Sequence, residues 1–167
     1  MNIVPTDVPY TSFLLQQNLN TLLQRYPFLN VQVVGLSVLG KPIYAVRLGR
    51  GSKKVFYSAS IHANEWITSV VLMKFIEDYA TSYLANRSLS GYSVRSLFQN
   101  VSIYLIPMVN PDCVDLVTGA ISEGDFAYSS ARRIANIYPS IPFPSRMESQ
   151  YQWCGFKFTI SCWFGEC

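Results

Sequence analysis

Val55-Phe56-Tyr57-Ser58-Ala59-Ser60-Ile61-His62-Ala63-Asn64-Glu65-Trp66 is the stretch on which the fold turns. Its first part, residues 55–61, is a dense apolar run of strand length, which predicts a buried, central β-strand. Residues 66–84 follow with Val70, Val71, Met73, Phe75, Ile76 and Tyr79 on one face, which predicts a long helix. His62 falls where the strand hands over to the helix, and it is the single histidine of the chain. A Glu three residues after a His is close to one helical turn away, so both side chains can point the same way. Neutral imidazole and carboxylate are ordinary zinc ligands. A catalytic zinc site uses three protein ligands and an open position, and this chain has no second histidine to serve as the third. The plainer readings are a hydrogen-bonding histidine at a strand end and a glutamate favoured by the dipole of a helix start.

Outward from this stretch, residues 1–11 read as an extended lead-in, because Pro5 and Pro9 disfavour helix. Thr11 predicts a cap for a helix over 12–26, with Phe13, Leu14, Leu19, Leu22 and Leu23 as its apolar stripe and Pro27 as its stop. Residues 31–39 and 43–48 predict a hairpin around Gly40-Lys41-Pro42. Residues 49–54 form a basic, glycine-containing loop. Residues 92–98 predict a short helix, and 101–109 a second dense apolar strand ended by Asn110-Pro111-Asp112. Alternating helices and strands predict an α/β fold with a partly parallel sheet. Ligands in such sheets gather beyond the carboxyl ends of strands, where both His62 and Asn110 fall.

The 167 residues suit one domain with a real core. A chain that is 50% hydrophobic and 14% charged is not a disordered one. A net charge of +3 without a basic run gives no indication of nucleic-acid binding. No apolar run reaches the roughly 18 residues that span a bilayer. The first residues lack the basic and apolar regions of a signal peptide, so a cytoplasmic location is expected. Cys154, Cys162 and Cys167 crowd the C-terminal end. Without an export signal, free thiols are expected.

The order strand, His62-Ala63-Asn64-Glu65-Trp66, long helix, strand, Pro107-Met108-Val109-Asn110-Pro111-Asp112 resembles the M14 zinc carboxypeptidases. More narrowly it resembles their bacterial branch, the γ-D-glutamyl-L-diamino acid endopeptidases, which cut peptidoglycan stem peptides. Val4-Pro5-Thr6-Asp7-Val8-Pro9-Tyr10-Thr11 is similar to the lead-in of that branch. That lead-in often follows cell-wall-binding LysM repeats, so residues 1–11 fit a former linker. The resemblance covers about residues 4–145. It implies a three-layer mixed sheet with helices on both faces, a catalytic domain that begins at residue 12, and a peptidoglycan-derived peptide as substrate, with cell-wall association. It also implies Zn2+ held by His62 and Glu65, with a third ligand, a His, and a general-base Glu further downstream in complete members. In such sites the metal lowers the pKa of its water and polarises the scissile carbonyl, and the Glu takes the proton. An Arg of the family helps to polarise that carbonyl. Arg132 or Arg133 lies in that region, beside the plainer reading of both as exposed helix residues.

Two departures qualify the resemblance. Cys113 stands where the family has a turn glycine, which questions the local backbone geometry. A nucleophilic Cys113 would lack a histidine partner. After Ser145 the family pattern stops, where complete members continue with Gly-Val-Asp-Leu-Asn and a Phe-Pro. Permitted codons for residues 146–165, read one base later, translate as Gly-Trp-Lys-Ala-Asn-Ile-Asn-Gly-Val-Asp-Leu-Asn-Leu-Gln-Phe-Pro-Ala-Gly. The expectation is a frameshift near codon 146. Residues 12–145 are then the N-terminal part of a peptidase domain, incomplete at its C-terminus, and 146–167 an out-of-frame tail. A replacement ligand from Cys154 or Cys162 is the lesser reading. Such a chain would carry an incomplete zinc site and expose a sheet edge open to self-association. The alternative function is a non-catalytic remnant with at most weak metal binding.

Overall fold

Thr11 opens the first helix: its hydroxyl accepts the Leu14 N–H at 3.1 Å, and the chain runs on as α1, Ser12–Arg25. The computed structural model describes residues 2–137 and 142–145. The tail readings, Cys154 and Cys162 included, lie outside the described residues. Helix α1 buries Leu15, Leu19 and Leu22 and stops short of Pro27. Phe13, expected on the buried stripe, is 65% exposed instead. It lies in the first helical turn and lines a cavity of about 640 Å³ with Leu39, Tyr44 and Phe126.

Strands β1, Asn30–Leu36, and β2, Pro42–Leu48, form the expected antiparallel hairpin. Then follow β3 (Lys53–Ser58), a 3-10 turn (Ala63–Glu65) and α2 (Ile67–Leu84). A two-rung ladder of β4 (Ser88–Leu89) and β5 (Tyr92–Ser93) precedes α3 (Val94–Asn100) and β6 (Val101–Ile106). Helices α4 (Pro111–Val117) and α5 (Phe126–Ala135) complete the described elements. The helix expected at 92–98 starts late because Tyr92 and Ser93 pair with Leu89 and Ser88, after which the Ser93 hydroxyl caps α3. The strand expected to reach 109 ends at Ile106, since Pro107 has no N–H for a ladder.

The main sheet has the order β1-β2-β6-β3, antiparallel except for the parallel β3–β6 pair. The fold is thus α/β, a mixed sheet packed with helices, as the alternation of elements predicts. The place of β3 departs from expectation. Among the described residues β3 is not central but ends the sheet, with Val55 half-buried and its other positions exposed. The centre goes to β6, buried from Ser102 to Ile106. Both strands are apolar runs of similar length, so hydropathy cannot rank them. The order is fixed when the crossover through α2 and α3 returns the chain between β2 and β3.

One sheet face packs Val46, Leu48, Ile103 and Leu105 against Leu19 and Leu22 of α1 and Met73, Ile76 and Tyr79 of α2. Ile43, Ala45, Ile106 and Val109 cluster separately. A third cluster joins Ala63 of the 3-10 turn to Cys113 and Leu116 of α4, Ile121, and Ala131 of α5. The glycine-containing loop lies hard against the start of β6. A Cβ on Gly49 would sit 2.1 Å from the Val101 carbonyl oxygen, and one on Gly51 1.8 Å from the Asn100 carbonyl carbon. Only glycine permits that approach, which Ser102 secures by donating to the Gly51 carbonyl at 2.7 Å.

Residues 2–11 contain no helix or strand, yet they are tied down. The buried Glu77 carboxylate of α2 accepts the Ile3 N–H at 2.7 Å and the Val4 N–H at 3.2 Å, and pairs with Lys74 at 3.0 Å. Burial alone would raise the Glu77 pKa, but the bonds from Ile3, Lys74 and Val4 hold it below its ordinary value. No helix among the described residues is long and apolar enough to cross a membrane.

Candidate metal site

The site begins where β3 and β6 end. Beyond their ladder the strands stay laced. The Ala59 N–H donates to Ile106 at 3.0 Å, the Val109 N–H to Ala59 at 3.0 Å, and the Asn110 N–H to Ser60 at 3.1 Å. Ser60 then takes φ 50, a left-handed backbone that costs a non-glycine residue about 1–2 kcal/mol. Buried hydrogen bonds offset it. The Ser60 N–H donates to the Thr68 hydroxyl at 2.9 Å, and the Ser60 and Ser69 hydroxyls lie 2.6 Å apart. The kink turns the chain out of the strand direction and into the 3-10 turn.

His62 caps that turn with extended backbone, φ −91 and ψ 135. The Glu65 N–H donates to the His62 carbonyl at 3.2 Å, while fully buried Ala63 anchors the turn in the third core cluster. Thr68 closes it by donating its hydroxyl to the Glu65 carbonyl at 2.7 Å. The helix expected from residue 66 therefore has a tighter first turn of its own, and α2 starts at Ile67. His62 is half-buried and Glu65 exposed. The bonds at Glu65 use its backbone. Among the described residues its carboxylate has no hydrogen-bond or ion-pair partner.

Asn110 does more than end a strand. Its Oδ1 accepts the Cys113 N–H at 3.3 Å and so caps α4, and Pro111 follows at the first helical position. Its Nδ2 donates to the Ile61 carbonyl at 3.4 Å. Asp112 faces away from the turn, accepting the Ser37 hydroxyl at 2.8 Å and the Leu39 N–H at 3.0 Å. Asp115 accepts the Ser12 N–H at 2.7 Å and the Ser12 hydroxyl, and it pairs with Lys41. These two carboxylates bolt α4 to the hairpin and to the start of α1. Sequence reasoning missed Ser60, Lys41 and Asp115. The available signal for Asp115 was its spacing of three from Asp112, which puts both on one helix face.

Cys113 is fully buried and helical, with no left-handed backbone, so no glycine is needed there. It is also disulfide-bonded, which overturns the free-thiol expectation at this position. Arg132 and Arg133 sit exposed on α5. The first lies 3.8 Å from Glu123, and the second donates to the Ser130 hydroxyl at 3.2 Å. The contacts described for either do not reach the 60–65 turn.

An imidazole and a carboxylate from one turn suit two positions of a tetrahedral zinc set. Among the described residues no group of three or more His, Cys, Asp or Glu comes together. Among the described residues the donors fit zinc in kind and fall short of it in number.

The arrangement is that of an α/β protein with a mixed sheet and a 3-10 turn beyond its parallel strand. Residues 15–132 match the Peptidase_M14 family, described as zinc carboxypeptidase, and the chain belongs to that family. It is 40% identical over 108 residues to gamma-D-glutamyl-L-diamino acid endopeptidase 1 of Lysinibacillus sphaericus, a match covering 65% of this chain and 27% of that protein. It is likewise 40% identical over 110 residues to the uncharacterized protein YqgT of Bacillus subtilis (strain 168), covering 65% and 29%. The chain thus spans less than a third of the length of either relative. Among solved structures, thrombin-activatable fibrinolysis inhibitor superposes with TM-score 0.58 at 20% identity, covering 70% of this chain and 31% of that one. Carboxypeptidase A of Helicoverpa armigera gives 0.53 at 22% identity, covering 74% and 29%. These likenesses show the fold.

Proposed function

We propose that His62 and Glu65 are two of the three protein ligands of a catalytic zinc ion. On this reading the chain is the N-terminal part of a peptidase that hydrolyses γ-D-glutamyl–diamino-acid bonds of peptidoglycan stem peptides. One observation carries the metal assignment: both donors project from a single turn at the carboxyl end of parallel β3, and the Glu65 carboxylate has no partner among the described residues. Membership of the zinc carboxypeptidase family supports the metal and the hydrolytic chemistry. The substrate class rests on likeness to the Lysinibacillus sphaericus endopeptidase.

When bound, zinc supplies a Lewis acid that polarises a carbonyl and lowers the pKa of a water. What these residues contribute is a neutral nitrogen donor, an anionic oxygen donor and a turn that keeps them together. His62 is the single histidine, so the second imidazole of the family's ligand set is not among these 167 residues. The general-base Glu is likewise assigned to none of them. With two ligands, zinc stays largely solvated and binds weakly. A second reading, a non-catalytic remnant with at most weak metal binding, starts from the single histidine of these 167 residues. The out-of-frame reading of residues 146–167 belongs with it. DNA whose codons there cannot encode Gly-Trp-Lys-Ala-Asn in another frame would end that idea.

Zinc calorimetry on the chain and on His62→Ala tests the assignment. Weak one-to-one binding that disappears in His62→Ala is expected. Binding untouched by the substitution would sink the ligand reading. Tight binding together with cleavage of a γ-D-glutamyl–diamino-acid peptide by the chain alone would sink the remnant reading.

A further inference from the structure

We propose that Asn110 and Thr68 are positioning residues that clasp the backbone of the 60–65 turn from two sides and so set the geometry of the His62–Glu65 pair. The metal side of this proposal rests on the zinc reading above. Neither residue belongs to the proposed ligand set. Each acts on the backbone that carries a ligand, and each comes from a different element.

On the β6–α4 side, Asn110 donates its N–H to the Ser60 carbonyl at 3.1 Å and its Nδ2 to the Ile61 carbonyl at 3.4 Å. The second bond holds the peptide unit that leads directly into His62. The Asn110 Oδ1 is meanwhile held by the Cys113 N–H at 3.3 Å, which fixes the amide plane. On the α2 side, the Thr68 hydroxyl accepts the Ser60 N–H at 2.9 Å and donates to the Glu65 carbonyl at 2.7 Å. One hydroxyl thereby spans the turn from the residue that kinks it to the residue that ends it. The turn has no ladder of its own and starts from a left-handed Ser60. Its shape depends on bonds from outside. Asn110 sits at the head of a helix that Asp112 and Asp115 fasten to the hairpin and to α1. A pair ordered in advance gives up less entropy when it takes a metal.

The test uses the whole chain and NMR. His62 is the single histidine, so its ring signals are identifiable without assignment. Asn110→Asp keeps the helix cap and removes the Nδ2 donor. Thr68→Val keeps the β-branched shape and removes both bonds, whereas Thr68→Ser restores the hydroxyl. Zinc titration followed at the His62 ring reports on folded molecules, so lost stability alone does not move it. Zinc affinity is expected to fall about tenfold in Asn110→Asp and Thr68→Val and to return in Thr68→Ser. Should Asn110→Asp fail to fold, the Thr68 pair decides alone. Folded variants that bind zinc as the parent chain does would overturn the proposal.

A metal-free readout separates this idea from the zinc reading. Hydrogen-exchange protection of the Glu65 amide should drop about tenfold in Thr68→Val relative to Thr68→Ser. If zinc never shifts the His62 ring of the parent chain while that protection drops, the metal assignment fails and the clasp stands. Unchanged protection overturns the clasp.

Discussion

Glu65 and Asp112 follow the carboxyl ends of neighbouring parallel strands, and they live in opposite surroundings. Asp112 is 2% exposed, Asp115 on the same helix 5%, and Glu77 of α2 3%. Each accepts from two or three donors that come from distant parts of the chain. Glu65 is exposed, and its carboxylate has no partner among the described residues. A carboxylate survives burial only when donors replace the water it loses. Such a group is committed to the fold. Glu65 keeps its water, which a cation can displace, while the order around it is built into the backbone. Burial thus separates three carboxylates that hold the structure from one that stays open to solvent.

The hardest blow to that contrast is Asp115→Ala. It removes the nearer of the two carboxylates that pair with Lys41, leaving Asp112 at 3.9 Å, and takes the acceptor from the Ser12 N–H and hydroxyl. We expect a loss of about 2–4 kcal/mol in urea unfolding, because two bonds from Ser12 and the nearer ion pair disappear together. A loss below about 1 kcal/mol would rank the pair with surface salt bridges and dissolve the distinction.

Glu77→Gln comes next, at about 1–3 kcal/mol, because the Ile3 and Val4 N–H groups and Lys74 lose a charged acceptor. The pH dependence carries the sign. Burial works against the Glu77 carboxylate, but the bonds from Ile3, Lys74 and Val4 outweigh it and leave the folded pKa lowered. Its contribution is therefore complete above the unfolded value of about 4.3 and disappears as pH falls through the lower folded value. The gap between parent and variant, followed by urea unfolding from neutral pH downward, should narrow at the acid end. A constant gap would place the effect in packing and not in charge.

Tyr79→Phe sharpens the contrast from the opposite direction. The Tyr79 hydroxyl is buried with no partner among the described residues, and burial, with a lesser contribution from Tyr83, lifts its pKa to about 12. Removing a polar group that lacks the donors Asp112 enjoys should stabilise the chain by about 1 kcal/mol. A destabilised variant would reveal a partner for that hydroxyl.

How much of this was legible beforehand follows the range of the interactions. Helix α1, its Thr11 cap, the Pro27 stop and the β1–β2 hairpin are set by neighbours in sequence, and they read correctly. That His62 and Glu65 share one turn is also a local matter, their spacing of three, while their role as ligands is the proposal above. The central place of β6 was not legible, because two apolar strands look alike until a crossover orders them. Nor were the partners of Asp112 and Asp115, since Ser37, Leu39 and Ser12 lie 75, 73 and 103 residues away. The left-handed Ser60 was hidden for another reason. Serine carries no mark of that conformation, and it is imposed by Thr68, Ser69 and Asn110 from outside the segment.

Glu65→Gln should have the smallest effect on stability and the most to say about function. The side chain keeps its length and its exposed place, and no described hydrogen bond is lost, so unfolding should move by no more than about 0.5 kcal/mol. The 3-10 turn itself should be unchanged, since the Glu65 N–H and carbonyl, which Gln retains, make its bonds to His62 and Thr68. Zinc is a different matter, because a neutral amide oxygen is a much poorer donor to it than a carboxylate. The zinc-induced shift of the His62 ring should therefore weaken while the melt stays in place. If instead Glu65→Gln lowers stability by more than about 1 kcal/mol and leaves zinc binding alone, Glu65 is a helix-start residue stabilised by the α2 dipole. The two carboxylate environments would then differ in degree and not in purpose.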